Sequence, residues 1–216
     1  MKLALDLRFW RAGTGGLGRY SRNLLRELLA IDKDNQYTAI ITPADEPEFD
    51  LRSPNLRKLV VPIAHYSLAE QTQLPGILKR ENFDLVHFAS FNHPILYRRP
   101  FVVTVHDLIM HRFPTGAQKK SLIRRAAYRV TMSDCKRAKR IIVPSESTRR
   151  DLAEMLHCPR DLMVITPEGS EGLFRVHTAR EKIAVKERLD LPKKYLLFVS
   201  RWEIYKGLPA LLAAYE

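Results

Sequence analysis

Apolar positions along this chain follow two rhythms. Short, nearly continuous apolar runs predict strands at "KLALDL" (2–7), "YTAIIT" (37–42), "KLVVPI" (58–63), "FDLVHFA" (83–89), "FVVTVHDL" (101–108), "RIIVPS" (140–145) and "LMVIT" (162–166). Between them the apolar positions recur every three or four residues, as on one face of a helix. "YSRNLLRELLAI" places Leu24, Leu25, Leu28 and Leu29 on one face with charges opposite. "SLAEQTQLPGILKRE" reads as a helix broken or kinked at Pro75. A long basic segment spans about 117–137, and "STRRDLAEML" opens behind a Ser-rich cap at 145–148.

Strand–helix–strand alternation with strands apolar on both faces predicts a parallel sheet covered on both sides, a doubly wound, Rossmann-like α/β domain over residues 1–170. Residues 171–194 have weak strand character and read as a link. "YLLFVS" (195–200) is again a buried-strand pattern, and "GLPALLAAYE" opens another helix. One strand and a partial helix cannot bury their own apolar faces. The chain is therefore expected either to dock them on the first domain or to be the front part of a longer protein.

Composition changes this picture little. The 216 residues are 45% hydrophobic and 28% charged, ordinary for a globular protein. Cys135 and Cys158 form no framework and suggest a reducing compartment. "MKLALDLRFWR" is too short an apolar run for a signal peptide, and no stretch approaches the ~20 apolar residues of a spanning helix, so a soluble, cytoplasmic protein is expected. Charge changes the picture more. Lys and Arg total 36 against 24 acids, a formal +12 that favours anionic partners. From Lys119 to Arg140 nine basic residues accompany one acid, Asp134, beside an apolar stripe of Leu122, Ile123, Ala126, Ala127 and Val130. Segment 117–140 reads either as a helix lying on an anionic membrane surface or as a domain helix with a basic polar face. No recognition motif or aromatic platform accompanies the charge, which argues against nucleic acid.

The candidate chemistry gathers at strand ends. In "RAGTGGLGRY", Gly13, Gly15 and Gly18 match the G-x-G-x-x-G spacing of dinucleotide-binding loops. However, "RFWRA" separates the loop from its strand, and Asp45 and Glu46 come only after the proline that ends the second strand. A nicotinamide oxidoreductase is thus a strained alternative. The mechanism that survives is general: a glycine turn at a helix start exposes backbone N–H groups to an anion, with Arg19 in the first turn. The bland alternative is a tight strand–helix turn. His87 falls near one strand end, and His106 with Asp107 at the next; the position favours function for His106 and a packed, hydrogen-bonded role for His87. Ser145, Ser147 and Thr148 read first as helix caps. Arg201 and Lys206, before Gly207 and a helix start, would suit a diphosphate, the bland alternative being two solvated surface charges. No zinc spacing appears, so no metal site is expected.

Together, "GTGGLGRYSRNLLREL", "FDLVHF", "TVHDLIMHRFP", "RIIVPSESTRRDL", "VITPEGSEGLF" and "YLLFVSRWEIYKGLPALLAAYE", in this order, resemble the family-4 retaining glycosyltransferases of the GT-B fold. The resemblance implies that Gly15 and Gly16 approach the donor diphosphate and that His106 faces the transferred sugar. It further implies that Arg201 and Lys206 hold the diphosphate of a GDP- or UDP-linked hexose, without a metal cofactor. Arg19 and the basic helix would serve a glycan or lipid-linked acceptor. Members continue through a second Rossmann domain whose glutamate pair would lie beyond Glu216, so the isolated chain is expected to show little transfer. "TPEGS" departs from the family, where an asparagine often precedes the glycine, and Glu168 receives no role. Outside this resemblance stand the oxidoreductase and a non-enzymatic module that binds membranes or polyanions.

Overall fold

β1 (Lys2–Asp6), β2 (Gln36–Ile41), β3 (Leu56–Val60), β4 (Leu85–Phe88), β5 (Phe101–Thr104), β6 (Arg140–Val143) and β7 (Met163–Ile165) form one sheet in the order β3-β2-β1-β4-β5-β6-β7. Every pairing is parallel. This computed structural model describes residues 1–11, 13, 15–113, 121–170, 174–200 and 202–215. The expected doubly wound α/β fold is present. Each predicted strand from 2 to 166 is found, though most are shorter than the apolar runs. Val61 and Ile63, for example, are core residues beyond the end of β3.

The pleat divides the core in two, because alternate residues of a strand face opposite sides. Leu5 and Leu7 cluster with Tyr37, Ala39 and Ile41 against Leu25 and Leu29 of α1 (Gly16–Ile31). Their neighbours Ala4 and Ile40 belong to the opposite cluster with Val86, Phe88, Val103 and Ile141. That cluster is covered by Leu74 and Leu78 of α3 (Leu74–Glu81), Tyr128 and Met132 of α5 (Leu122–Asp134), and Leu152 of α6 (Glu146–Leu156). The expected break at Pro75 is seen: α2 (Leu68–Thr72) ends just before it, and Pro75 sits in the first turn of α3, where its missing N–H costs nothing. The short α4 (Ile109–Arg112) follows β5.

The basic segment turns its apolar stripe outward. Tyr128 and Met132 are the buried residues of α5, whereas Leu122 and Ile123 are about four-fifths exposed at 81% and 82%, and Ala126, Ala127 and Val130 are exposed as well. Residues 117–120 lie outside the described residues. Both cysteines are buried and unpaired, and burial pushes both thiols up. Among the described residues, no helix is long and apolar enough to cross a membrane.

By contact the chain divides into units Met1–Gly169 and Ser170–Glu216. In the second, α7 (Ala179–Arg188) begins with a capping box formed by Thr178 and Glu181, and α8 (Leu208–Tyr215) follows a single 3-10 turn at Ile204–Lys206. The strand expected at 195–200 is not formed. An apolar run becomes a strand only when a neighbour completes its ladder, and among the described residues no strand pairs with this segment. None of this unit's described residues is buried.

Candidate functional site

Strand order reverses between β1 and β4, which pair directly while their following connections run to opposite sides of the sheet. At such a point the loops leaving the carboxyl ends diverge and open a crevice. Three sets of residues meet around it.

The first is the glycine turn. Gly15 caps α1 with φ 69 and ψ −136, a conformation that only glycine adopts without strain. No side chain caps this helix, and its first turn holds no acid, so its leading N–H groups carry positive partial charge toward the crevice side of the turn. A Cβ at Gly16 would meet nothing within 4 Å, so the approach to the first helical residue is open. Arg19 is exposed one turn in, and its N–H donates to the Gly15 carbonyl at 3.2 Å.

The second set surrounds His106. Its Nε2 donates to the Ala89 carbonyl at 2.9 Å, and its Nδ1 lies 2.6 Å from Glu168 Oε1. A carbonyl can only accept, so the ring is anchored at one nitrogen and meets a carboxylate at the other. Tyr20 of α1 packs edge-on against the ring, with centroids 4.7 Å apart. Thr148 donates to the His106 carbonyl at 3.1 Å, while Ser145 accepts the Thr148 N–H and caps α6. The capping reading of this junction is correct, and the cap also fixes His106. Behind lies a hydroxyl relay: Tyr20 Oη is 3.0 Å from Thr104 Oγ1, which is 2.8 Å from His87 Nε2. Burial pushes the His87 imidazole down to about 4, and the His106 ring acts in the same direction. His87 is thus a neutral, hydrogen-bonded ring at neutral pH. Burial and the Glu168 charge push the Tyr20 phenol up.

The third set was not legible beforehand. Arg8, just past β1, is fully buried. It reaches Asp6 side-on through Nε (2.8 Å) and Nη2 (2.7 Å), Glu70 of α2 through Nη2 (2.5 Å), and the Ile63 carbonyl through Nη1 (3.1 Å). Glu70 also accepts Asn92 Nδ2 at 2.9 Å on both oxygens and the Tyr66 N–H at 2.8 Å. Burial alone would raise Asp6, but the adjoining guanidinium offsets it and holds the carboxyl below its usual range. Burial lowers His65, whose ring stacks on Phe9 at 3.4 Å. The one sequence signal was an aspartate inside an apolar strand.

Asp45, where a dinucleotide fold keeps its ribose acid, is fully buried. It accepts the Thr42 N–H at 3.0 Å, the Thr42 hydroxyl at 2.5 Å and the Arg11 N–H at 3.2 Å. Its carboxylate is committed to its own turn, which argues against the nicotinamide reading. Asp107 likewise accepts the Ile109 N–H at 2.9 Å and starts α4. Lys206 is exposed in the second unit, its Nζ 5.3 Å from the Tyr205 ring centroid; Arg201 lies outside the described residues. Among the described residues, no group of three His, Cys, Asp or Glu could hold a metal ion.

Residues 14–170 match the sequence profile of Glycosyltransferase Family 4. No curated protein sequence matches the chain. Among solved structures, HepE of Anabaena in complex with UDP and glucose superposes with a TM-score of 0.68 at 14% identity, covering 99% of this chain and 57% of that one. HepE with UDP-glucose gives 0.65 at 15% identity, covering 99% and 56%, and HepE with UDP gives 0.67 at 14%, covering 99% and 57%. At these identities the likeness establishes the fold, and the chain spans little more than half of HepE's length.

Proposed function

The chain belongs to Glycosyltransferase Family 4, and on that premise we propose that the protein transfers a hexosyl unit, mannose or glucose, from a GDP- or UDP-linked donor to a glycan or lipid-linked acceptor, with retention of configuration. The observation that carries this reading is His106, held by Ala89 and Glu168 at the carboxyl edge of the sheet and touched by the same helix that the glycine turn opens. HepE, which binds UDP and glucose, favours the nucleotide-sugar class of donor.

In this reading residues 1–170 are the acceptor-side domain, 171–194 the link, and 195–216 the beginning of the donor domain. The bond from the sugar C1 to the diphosphate oxygen breaks, and charge accumulates on the leaving phosphate. The N–H groups at Gly15 and Gly16, with Arg201 and Lys206, compensate that charge, so no metal is required. The acceptor hydroxyl bonds to C1 from the face the diphosphate leaves, and its proton passes to a phosphate oxygen. His106 binds the transferred sugar. Arg19 and the basic α5 serve the acceptor. The outward stripe of Leu122, Ile123 and Val130 beside Arg124, Arg125 and Arg129 supports peripheral attachment to an anionic membrane; the cytoplasmic face and a place in polysaccharide biosynthesis belong to the same proposal.

The test is nucleotide release by the protein as the cell makes it, from UDP-glucose and GDP-mannose, with and without EDTA. His106→Ala should lower transfer by roughly 100-fold or more while the variant stays folded by circular dichroism, and EDTA should have no effect. Full transfer by the variant, or its loss in EDTA, would refute the assignment.

A further inference from the structure

Beside the crevice lies a cavity of about 490 Å³, within the range of roughly 300–1,000 Å³ that encloses most of a small ligand. Its walls are Tyr66, Phe91, Ile95, Met110, Ala127, Tyr128 and Val130, with Ser67, Gln71, Asn92, Arg124 and Thr131 between them. The polar residues are mostly spent on the protein itself. Ser67 Oγ donates to the Ala64 carbonyl at 2.7 Å and accepts the Glu70 N–H at 3.1 Å. Gln71 donates to the His93 carbonyl at 3.3 Å and accepts the Ile95 N–H at 2.9 Å. Thr131 turns its hydroxyl back to the Ala127 carbonyl at 3.0 Å, and Asn92 gives its amide to Glu70. To a ligand the walls therefore present methyl, methylene and ring faces, and the charge on offer is the exposed Arg124.

The cavity is built. Tyr66 takes φ 57, unusual for a bulky residue, and its N–H is fastened to the buried Glu70. Its ring is 6.3 Å from Phe91, which meets Tyr128 edge-on at 5.2 Å. The cavity also adjoins the His106 site. Ala89, which anchors that ring, is three residues from Asn92 in the cavity wall, at most about 11 Å of chain.

We infer that this cavity takes the hydrocarbon tail of an amphiphilic acceptor whose anionic headgroup pairs with Arg124, leaving the hydroxyl end free to reach His106. The inference rests on the transferase reading for the identity of the ligand as acceptor, but not for its binding. An apolar tail fits because it asks little of walls whose polar groups are mostly paired already. A guanidinium at the wall supplies the complementary charge for a phosphate.

The experiment is titration calorimetry of the full protein, without sugar nucleotide, against n-butyl, n-hexyl and n-octyl phosphate below their micelle concentrations, and against inorganic phosphate. Affinity should rise about fourfold per methylene until the cavity is filled, while inorganic phosphate competes weakly. Ala127 is exposed, so Ala127→Phe should fill the cavity without disturbing the core; it should remove the chain-length dependence and leave the circular-dichroism melt unchanged. Arg124→Gln should weaken octyl phosphate at least tenfold and leave n-octyl glucoside unaffected. Affinity independent of chain length, full competition by inorganic phosphate, or wild-type binding by a folded Ala127→Phe variant would each overturn the inference. Sugar transfer is read separately, so a protein that binds octyl phosphate yet transfers no hexose would sink the transferase reading and keep the cavity.

Discussion

Arg8→Met tests the buried ionic network at its centre. The substitution keeps most of the side chain's length and apolar contact but removes the cation from Asp6 and Glu70, both almost wholly buried. Breaking a buried pair by deleting one partner costs about 3–5 kcal/mol, because a charge is left desolvated and unpaired. At about 2–4 °C per kcal/mol for a domain of this size, the melting temperature should fall by roughly 6–20 °C. Urea unfolding followed by tryptophan fluorescence reports on the right unit, since Trp10 is fully buried there and donates to the Glu48 carbonyl.

The pH dependence separates this mechanism from simple loss of packing. In the native protein Asp6 titrates below its unfolded value of about 3.9. Its contribution is therefore complete above about pH 4 and is lost as the pH falls through the folded value. Without Arg8, burial remains and the cation does not, so the Asp6 carboxyl should move above its unfolded value. The folded variant then binds more protons than the unfolded chain, and its stability should rise as the pH falls. The penalty should accordingly be larger at pH 8 than at pH 5. A penalty under about 1 kcal/mol, or one constant over that interval, would refute the network's role. The triple variant Asp6→Leu, Arg8→Met, Glu70→Leu should recover much of the loss, because apolar replacement of a whole buried ionic set is often neutral or stabilising.

Gly15→Ala should cost about 1–3 kcal/mol and raise the KM for the nucleotide sugar, since φ 69 with ψ −136 is closed to alanine; an unchanged urea midpoint would contradict this. Ser145→Ala should cost about 1 kcal/mol through loss of the α6 cap and loosen the backbone that Thr148 holds at His106, which amide exchange at residues 104–107 would detect. Reversing charge at Arg124, Arg125 and Arg129 should weaken sedimentation with anionic vesicles by at least 100-fold at low salt, at about 1 kcal/mol per residue near the surface. Wild-type binding by that variant would dismiss the membrane role.

Local pattern carried the sheet, the helix order and the glycine turn, because each depends on neighbours a few residues away. Tertiary partners decided the rest. Arg8 reads as the polar end of an apolar run, yet its partner Glu70 is 62 positions along, in a stretch that reads as an ordinary amphipathic helix. In α5 the periodicity of Leu122, Ile123, Ala126, Ala127 and Val130 marks an apolar stripe, while burial falls on Tyr128 and Met132. Phe91, contributed by the loop after β4, packs against Tyr128 and helps select that face. "YLLFVS" has a strand's composition and pairs with no strand among the described residues, which no local pattern can foretell.

The ionic network also explains how the crevice stays open. Asp6 ends β1 with Arg8 just past it, Ile63 and Glu70 lie in the connection after β3, and Asn92 lies in the loop after β4. An apolar cluster would join these three segments by filling the space between them. A guanidinium and two carboxylates join them with directed bonds of fixed length, and so leave room beside the joint. The same carboxylate that closes the network holds Tyr66 in its unusual conformation and orients Asn92, both in the cavity wall. On this argument the Asp6→Leu, Arg8→Met, Glu70→Leu protein separates stability from shape. It should unfold at a midpoint near that of the native protein and still lose the chain-length dependence for alkyl phosphates, because nothing would hold Tyr66 and Asn92 in place. Retained dependence in that variant would mean that packing alone shapes the cavity.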